Sequence, residues 1–191
     1  MNELTPEQLA VRTRGRRVLL LIFAMFFGSM ALAGFLRFSG WMPQINRNHG
    51  QLLDPPADLR EARLSQADGT PYAWDPAARH WRIVLAPAAG CAQECVTLSQ
   101  QLDTVWRLFG HNADNVEILW LGTPPVQAVA TPARRVLRAD VATRARLPGV
   151  DDPAGTPVYV VAPNGFVVLR YAPGFDPGGL RADLARLLKL K

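Results

Sequence analysis

The sequence predicts an α/β protein: a mixed sheet flanked by helices, preceded by one N-terminal transmembrane helix. Three observations carry that expectation. Residues 18–36, VLLLIFAMFFGSMALAGFL, contain no charged side chain. Residues 81–122 run through a buried-strand pattern, an amphipathic helical pattern and a second buried-strand pattern. Residues 157–171 read as two apolar strands joined by Pro163-Asn164-Gly165, a strong hairpin signal.

The apolar run comes first. At 1.5 Å per residue it crosses nearly the full hydrocarbon thickness of about 30 Å. Gly28 and Gly34 are no objection, since membrane helices tolerate glycine. Arg12, Arg14, Arg16 and Arg17 precede the run, so the positive-inside rule places residues 1–17 in the cytoplasm. Everything from about Arg37 onward is then exported, and Trp41 suits the outer interface. Ala31-Leu32-Ala33 resembles a signal-peptide cleavage site, but apolar residues continue to Leu36 and Phe38, which favours an uncleaved anchor. No lipobox cysteine is present. The expected location is a bacterial inner membrane, single-pass, with an oxidising periplasm around the C-terminal domain.

With 191 residues, 49% of them apolar, the chain suffices for one ordinary domain plus an appendage. The net charge of +5 does not indicate nucleic acid. Its basic residues are nearly all scattered arginines, and the lysines are confined to Lys189 and Lys191.

Residues 37–59 read as a linker and residues 60–191 as the exported domain. Turn-forming residues dominate NHGQLLDPP and QADGTPYAWDP, and Asp68-Gly69 suits a hairpin between short strands. WRIVLAP is a buried strand, ended by AAGC. From about Ala92 to Gly110, Leu98, Leu102, Val105 and Phe109 recur at helical spacing. VEILWLG is the second strand, Val136-Leu137 a short third, and residues 142–147 a short helix. After the hairpin, Leu180, Leu184, Leu187 and Leu188 line one side of a last helix following Pro177. Strand–helix–strand implies a parallel pair with a right-handed crossover, and the hairpin adds antiparallel strands.

APAAGCAQECVTLSQQL, residues 86–102, holds the two cysteines of the chain, Cys91 and Cys95. Three chemistries stay open for them. Near a helix N-terminus Cys91 gains thiolate character, which suits thiol–disulfide exchange. Glu94 opposes that, and no Lys or Arg neighbours the pair in sequence. Two thiolates alone hold Cu(I), a soft ion, whereas Cu(II) wants a nitrogen as well. Residues four apart on a helix have Cα atoms about 6 Å apart, within disulfide range. A staple over so short a loop stabilises by only about 2 kcal/mol.

A cysteine pair where the first core strand meets its helix, followed by GTPVYVVAPNG, resembles the thioredoxin-fold superfamily over roughly residues 60–190. That resemblance implies a thioredoxin-like fold in which Thr156-Pro157 is a cis pair facing the cysteines. DGTP before the first core strand is similar to the entry hairpin of that superfamily's membrane-tethered branch, and the C-x-x-x-C spacing, the single anchor and the xPxG hairpin resemble the Sco/SenC proteins. These assist copper insertion into cytochrome c oxidase, holding copper with two cysteines and a distant histidine. By that resemblance Cys91 is the attacking thiol and Cys95 the resolving one, and both are copper(I) ligands. Pro157 shapes the pocket where a partner segment docks. The implied partners are the inner membrane and a cytochrome c oxidase subunit or its copper chaperones.

The family's histidine falls near Ala154, and no histidine follows His111. His80 precedes a strand whose far end leads to Cys91, about 20 Å away at 3.3 Å per residue. His111 lies beyond the far end of the Cys91 helix, and His49 is in the linker. The function expected is therefore oxidase assembly through the thiol pair, by copper handling or by reducing a partner. A general thiol–disulfide oxidoreductase and a non-catalytic interaction module are the alternatives.

Trp74, Trp81, Trp106 and Trp120 read as core or partly buried packing, and Met42 beside Trp41 as an interface residue. Asp151-Asp152 reads as a solvated turn. P-loop, Rossmann, zinc and Ser-His-Asp patterns are missing from the sequence, which excludes hydrolase and nucleotide-dependent classes.

Overall fold

A computed structural model of the chain describes residues 6–39 and 48–189. Trp41 and Met42 lie outside the described residues. Two compact units divide near residue 46.

The first unit is helix α1 (Pro6–Phe38). It begins twelve residues before the apolar run, so the expected cytoplasmic tail is helical from Pro6. Leu, Gln, Ala and Arg in that stretch all favour helix, and Pro6 occupies the first turn, where its missing N–H costs nothing. Gly15–Phe38 is long and apolar enough to cross a membrane. Its side chains from Val18 to Phe38 are almost all exposed.

The second unit is a seven-stranded mixed sheet. Its elements in chain order are β1 (Gln51–Asp58), β2 (Leu64–Gln66), β3 (Trp81–Leu85), α2 (Gln93–Arg107), a 3₁₀ turn (Gly110–Asn115), β4 (Val116–Leu121), β5 (Arg134–Ala139), α3 (Val141–Ala145), β6 (Val158–Val161), β7 (Phe166–Tyr171) and α4 (Pro177–Leu187). Across the sheet the strand order is β1-β7-β6-β3-β4-β5-β2. The β3–β4 and β4–β5 pairs are parallel, and the other four pairs are antiparallel.

Strand alternation divides the core into two layers. Ile83 and Leu85 face α2 and α4, together with Leu98, Leu102, Val105, Trp120, Leu180 and Leu184. Val84 and Ala86 face the other side, with Leu119, Leu137, Leu147, Tyr159 and Val161. The helical stripe expected on α2 is thus the buried stripe. Of the tryptophans, Trp120 is 1% exposed, and Trp74, Trp81 and Trp106 pack at the edges of the two layers.

The fold corrects the expected linker. Residues 51–58 form edge strand β1, paired with β7. Pro55 and Pro56 sit where the register is interrupted between Leu52 and Ala57, so the prolines interrupt pairing without preventing it. The turn at Asp68-Gly69 is present: Gly69 has φ +89°, and Asp68 Oδ1 accepts from the N–H and hydroxyl of Thr70. Strand β2 leads into this turn but pairs with β5.

Helix α4 starts as its sequence dictates. Pro177 occupies the first turn, and the Asp176 carboxylate accepts from the N–H groups of Gly178 and Gly179, at 3.0 and 2.8 Å. Asp176→Ala is expected to destabilise the domain by about 1 kcal/mol, read as a lowered urea midpoint with unchanged slope.

Candidate functional site: a cysteine pair in a cleft

The site is built where β3 ends. Pro87 cannot continue the strand, and Gly90 at φ +84° turns the chain so that Cys91 N–H bonds back to Ala88 O. Helix α2 then opens after Ala92, whose side chain supplies no cap. Cys91 precedes the helix and is half-buried, while Cys95 in the first turn is fully buried at 0%. The two are joined in a disulfide with Cα atoms 5.7 Å apart.

Thr156 comes to this pair from the start of β6. Its Oγ1 is 3.9 Å from Cys91 Sγ. Its backbone N–H donates to Glu94 Oε1 at 2.5 Å, and Glu94 Oε2 is 3.9 Å from Cys91 Sγ. Glu94 therefore bridges the cysteine turn and the Thr156 loop. Gly155 makes room for the bridge: a Cβ there would stand 2.6 Å from Glu94 Oε1. Pro157 is buried beside Thr156. The Thr156–Pro157 bond is trans, correcting the expected cis pair; among the described residues the cis bond is Asp54–Pro55. Trans is the ground preference of an X–Pro bond, and the short motif alone does not override it.

Two arginines hold the walls. Arg144 on α3 donates to the carbonyls of Ala86 and Pro87 and pairs with Asp151 at 2.8 Å. Arg170 on β7 pairs with Asp152 at 2.6 Å and donates to Pro148 O at 3.1 Å. The N–H of Ala154, then Arg170, hold the Asp152 carboxyl below the ordinary aspartate value. Asp151 is 80% exposed in a turn, as the sequence suggests, and reaches Arg144 from solvent, whereas Asp152 is 22% exposed and paired with Arg170. Tyr159 donates to the same Pro148 carbonyl, and burial pushes its hydroxyl up to about 12.

Cys91, Arg144 and Asp151 line an open cleft of about 640 Å³ at the C-terminal ends of β3, β4 and β5, which reaches to Gly122 and Val141. A second cleft of about 410 Å³ shares Cys91, Arg144 and Asp151 with it and extends to Glu94 and Thr156. Openings at this end of a parallel sheet are the usual ligand position in α/β folds. Arg144 was invisible as a site residue in the sequence, being 53 positions from Cys91.

The histidines are elsewhere. His49 is held by Asp183, with Nδ1 3.1 Å from Oδ1. His80 lies just before β3, at the end away from the cysteines, and His111 lies in the 3₁₀ turn beside Asn112. Ala154 lies in the loop before Gly155. Among the described residues no group of three His, Cys, Asp or Glu side chains is placed to hold a metal. The donor set fits Cu(I) only after reduction, as two thiolates, and supplies no nitrogen for Cu(II).

A family model described as the transmembrane-like, thioredoxin-like C-terminal domain matches residues 81–191. The chain belongs to that family. Its fold is shared with solved Sco structures. Apo Sco1 from Thermus thermophilus is 15% identical at a TM-score of 0.54, over 76% of this chain and 99% of that one. Yeast Sco1 with copper bound is 12% identical at 0.53, over 79% and 96%. BsSco, described as a member of the Sco family of cytochrome c oxidase assembly proteins with a disulfide switch, is 13% identical at 0.50, over 78% and 100%. These likenesses show a thioredoxin-like fold. A search of curated proteins finds no match.

Proposed function

We propose that this is a membrane-anchored periplasmic protein that assists cytochrome c oxidase assembly through the Cys91–Cys95 thiol pair. The observation that carries the reading is the asymmetry of the pair: Cys91 opens onto a cleft beside Thr156, and Cys95 is sealed beneath it. Anchoring by α1, with residues 1–17 cytoplasmic and the sheet domain exported, supports it through the Arg cluster before the apolar run.

The chemistry favoured is reduction of a partner. In the reduced protein the Cys91 thiolate attacks a partner disulfide, forming a mixed disulfide and releasing the partner's second sulfur as a thiolate, which takes up a proton. Cys95, deprotonated, then attacks Cys91 Sγ, expelling the partner's first sulfur. The partner gains two electrons, and Cys91–Cys95 becomes the disulfide seen here. Pro157 fixes the backbone of Thr156 where the partner's segment docks. Copper handling is the second reading, supported by the two sulfurs and the Sco-like fold, with Cu(I) as cargo on both thiolates.

Deleting the gene in its host is expected to lower cytochrome c oxidase activity, with wild-type protein restoring it and Cys91→Ser failing to do so. Normal oxidase activity in the deletion strain overturns the assembly role and leaves the general oxidoreductase or the interaction module. Anaerobic Cu(I) titration of the reduced, detergent-solubilised chain separates the two chemistries. Thiol-dependent binding tighter than micromolar supports cargo; its absence supports reduction of a partner.

A further inference from the structure

We propose that the end of the sheet away from the cysteines carries a second binding site, a groove that takes an acidic peptide segment of a partner protein. The groove holds about 510 Å³ and forms where four parts of the chain meet: the turn before β3, the 3₁₀ turn, the β6–β7 hairpin and the end of α4. Trp81 opens β3 there. The five residues of that strand, about 16 Å at 3.3 Å per residue, separate the groove from the turn that leads to Cys91.

Apolar surface comes from the half-buried Trp81 ring, Pro163 and Leu188, and polar surface from Arg79, Asn115 and Asn164. Among the described residues, none of these three polar side chains makes a hydrogen bond or ion pair within the protein. No described carboxylate lines the groove, so the Arg79 guanidinium is an uncompensated cation in it. Asp75, nearby in the chain, turns its carboxylate to the N–H groups of Ala77 and Ala78. The backbone points the same way. Arg79 has φ +53°, the one non-glycine residue in the left-handed region among the described residues, and its N–H closes a turn on Pro76 O at 3.2 Å. Glycine would adopt that conformation without strain. A side chain present there at a conformational cost, and bonded to nothing in the fold, is free to serve a ligand.

These groups fix the chemistry of the occupant. An unpaired guanidinium takes a carboxylate, free primary amides match the donor and acceptor of a peptide bond, and a tryptophan face beside leucine takes an apolar side chain. The groove is open to solvent. It cannot bury most of a free small molecule, as ligand pockets do, but it suits a chain that crosses it. The occupant is thus a segment in which an acidic residue neighbours an apolar one.

The test is fluorescence anisotropy of labelled, C-terminally amidated hexapeptides with the detergent-solubilised full chain. One peptide alternates glutamate with leucine, and two controls replace every glutamate by glutamine or by lysine. The acidic peptide is expected to bind about tenfold more tightly than the glutamine peptide, and the lysine peptide more weakly still. Arg79→Gly is expected to remove that preference while the urea midpoint holds, because glycine suits the turn. Arg79→Glu is expected to transfer the preference to the lysine peptide. Equal binding of the three peptides, no binding of the acidic one, or a preference that survives in Arg79→Gly overturns the proposal. N-acetylglutamate that displaces the acidic peptide at equal concentration assigns the groove to a free carboxylate and overturns peptide docking. Neither thiol chemistry nor oxidase assembly enters the measurement, so this site and the proposed function stand or fall separately.

Discussion

Asp183→Ala is expected to destabilise the sheet domain by about 3–5 kcal/mol, a lowered urea midpoint in the detergent-solubilised chain. The carboxylate is 1% exposed on α4, gathers donors from two distant parts of the chain and lies 3.6 Å from Arg186 of its own helix. The N–H groups of His49 and Gly50 donate to Oδ2 at 2.7 and 3.0 Å, and the Tyr171 hydroxyl does so at 2.8 Å. Removing the acceptor strands all of them. Tyr171 is the clearest case, for burial and then Asp183 push its hydroxyl far above the ordinary value. No larger residue substitutes at the joint: a Cβ on Gly50 would lie 2.6 Å from the Tyr171 ring, and one on Gly179 2.7 Å from His49 Cβ.

The pH dependence follows in sign. Burial raises the Asp183 carboxyl, but the Gly50, His49 and Tyr171 hydrogen bonds outweigh it and hold the group below the ordinary aspartate value. Its contribution is therefore complete above about pH 4 and is lost as pH falls through the lowered native value. The gap in urea midpoint between wild type and Asp183→Asn is expected to be constant from pH 7 to about 5 and to shrink in stronger acid. A gap independent of pH down to unfolding contradicts the assignment.

Glu117→Ala is expected to cost about 3 kcal/mol, because it isolates a buried cation. Arg82 on β3 is 2% exposed, with Nε 3.4 Å from Glu117 Oε2. Tyr72 stands between them, accepting from Arg82 Nε at 2.5 Å and donating to Glu117 at 3.0 Å. Burial, chiefly, raises its hydroxyl to about 12, so it remains the donor at any working pH. The guanidinium also lies 5.0 Å from the Trp74 ring and donates to the carbonyls of His80 and Pro163. Charge isolation, as opposed to lost packing, makes a further claim. The double variant Arg82→Met, Glu117→Leu is expected to regain most of the loss, since an apolar pair of similar volume removes the stranded charge. Equal losses in single and double variants would sink that account.

Much of the frame was legible in the sequence. Leu98, Leu102 and Val105 announce the buried face of α2, and Phe109 continues it just past the helix end, because period and burial coincide on an amphipathic helix. Pro163-Asn164-Gly165 announces the β6–β7 hairpin, because only a few residue types make that turn. The cysteine pair was legible too, through its position after a strand. The remainder depends on partners far apart in the chain. His49 reads as a turn residue until α4 brings Asp183 beneath it. Arg144 reads as one scattered arginine until α3 folds over the end of β3. Glu94 reads as a mild opponent of the thiolate, and its bond to Thr156 exists only once β6 lies beside β3. Strand β1 reads as linker because Leu52 and Ala57 pair with β7 across a proline-interrupted register that no alternation rule captures.

That same interrupted strand decides how the sheet meets its surroundings. One border is β1, where Pro55 and Pro56 remove two amide donors; the opposite border is β2, three residues long. Neither offers a continuous ladder to an incoming chain. Copies crowded at a surface are thereby guarded against fusing side by side into fibrils.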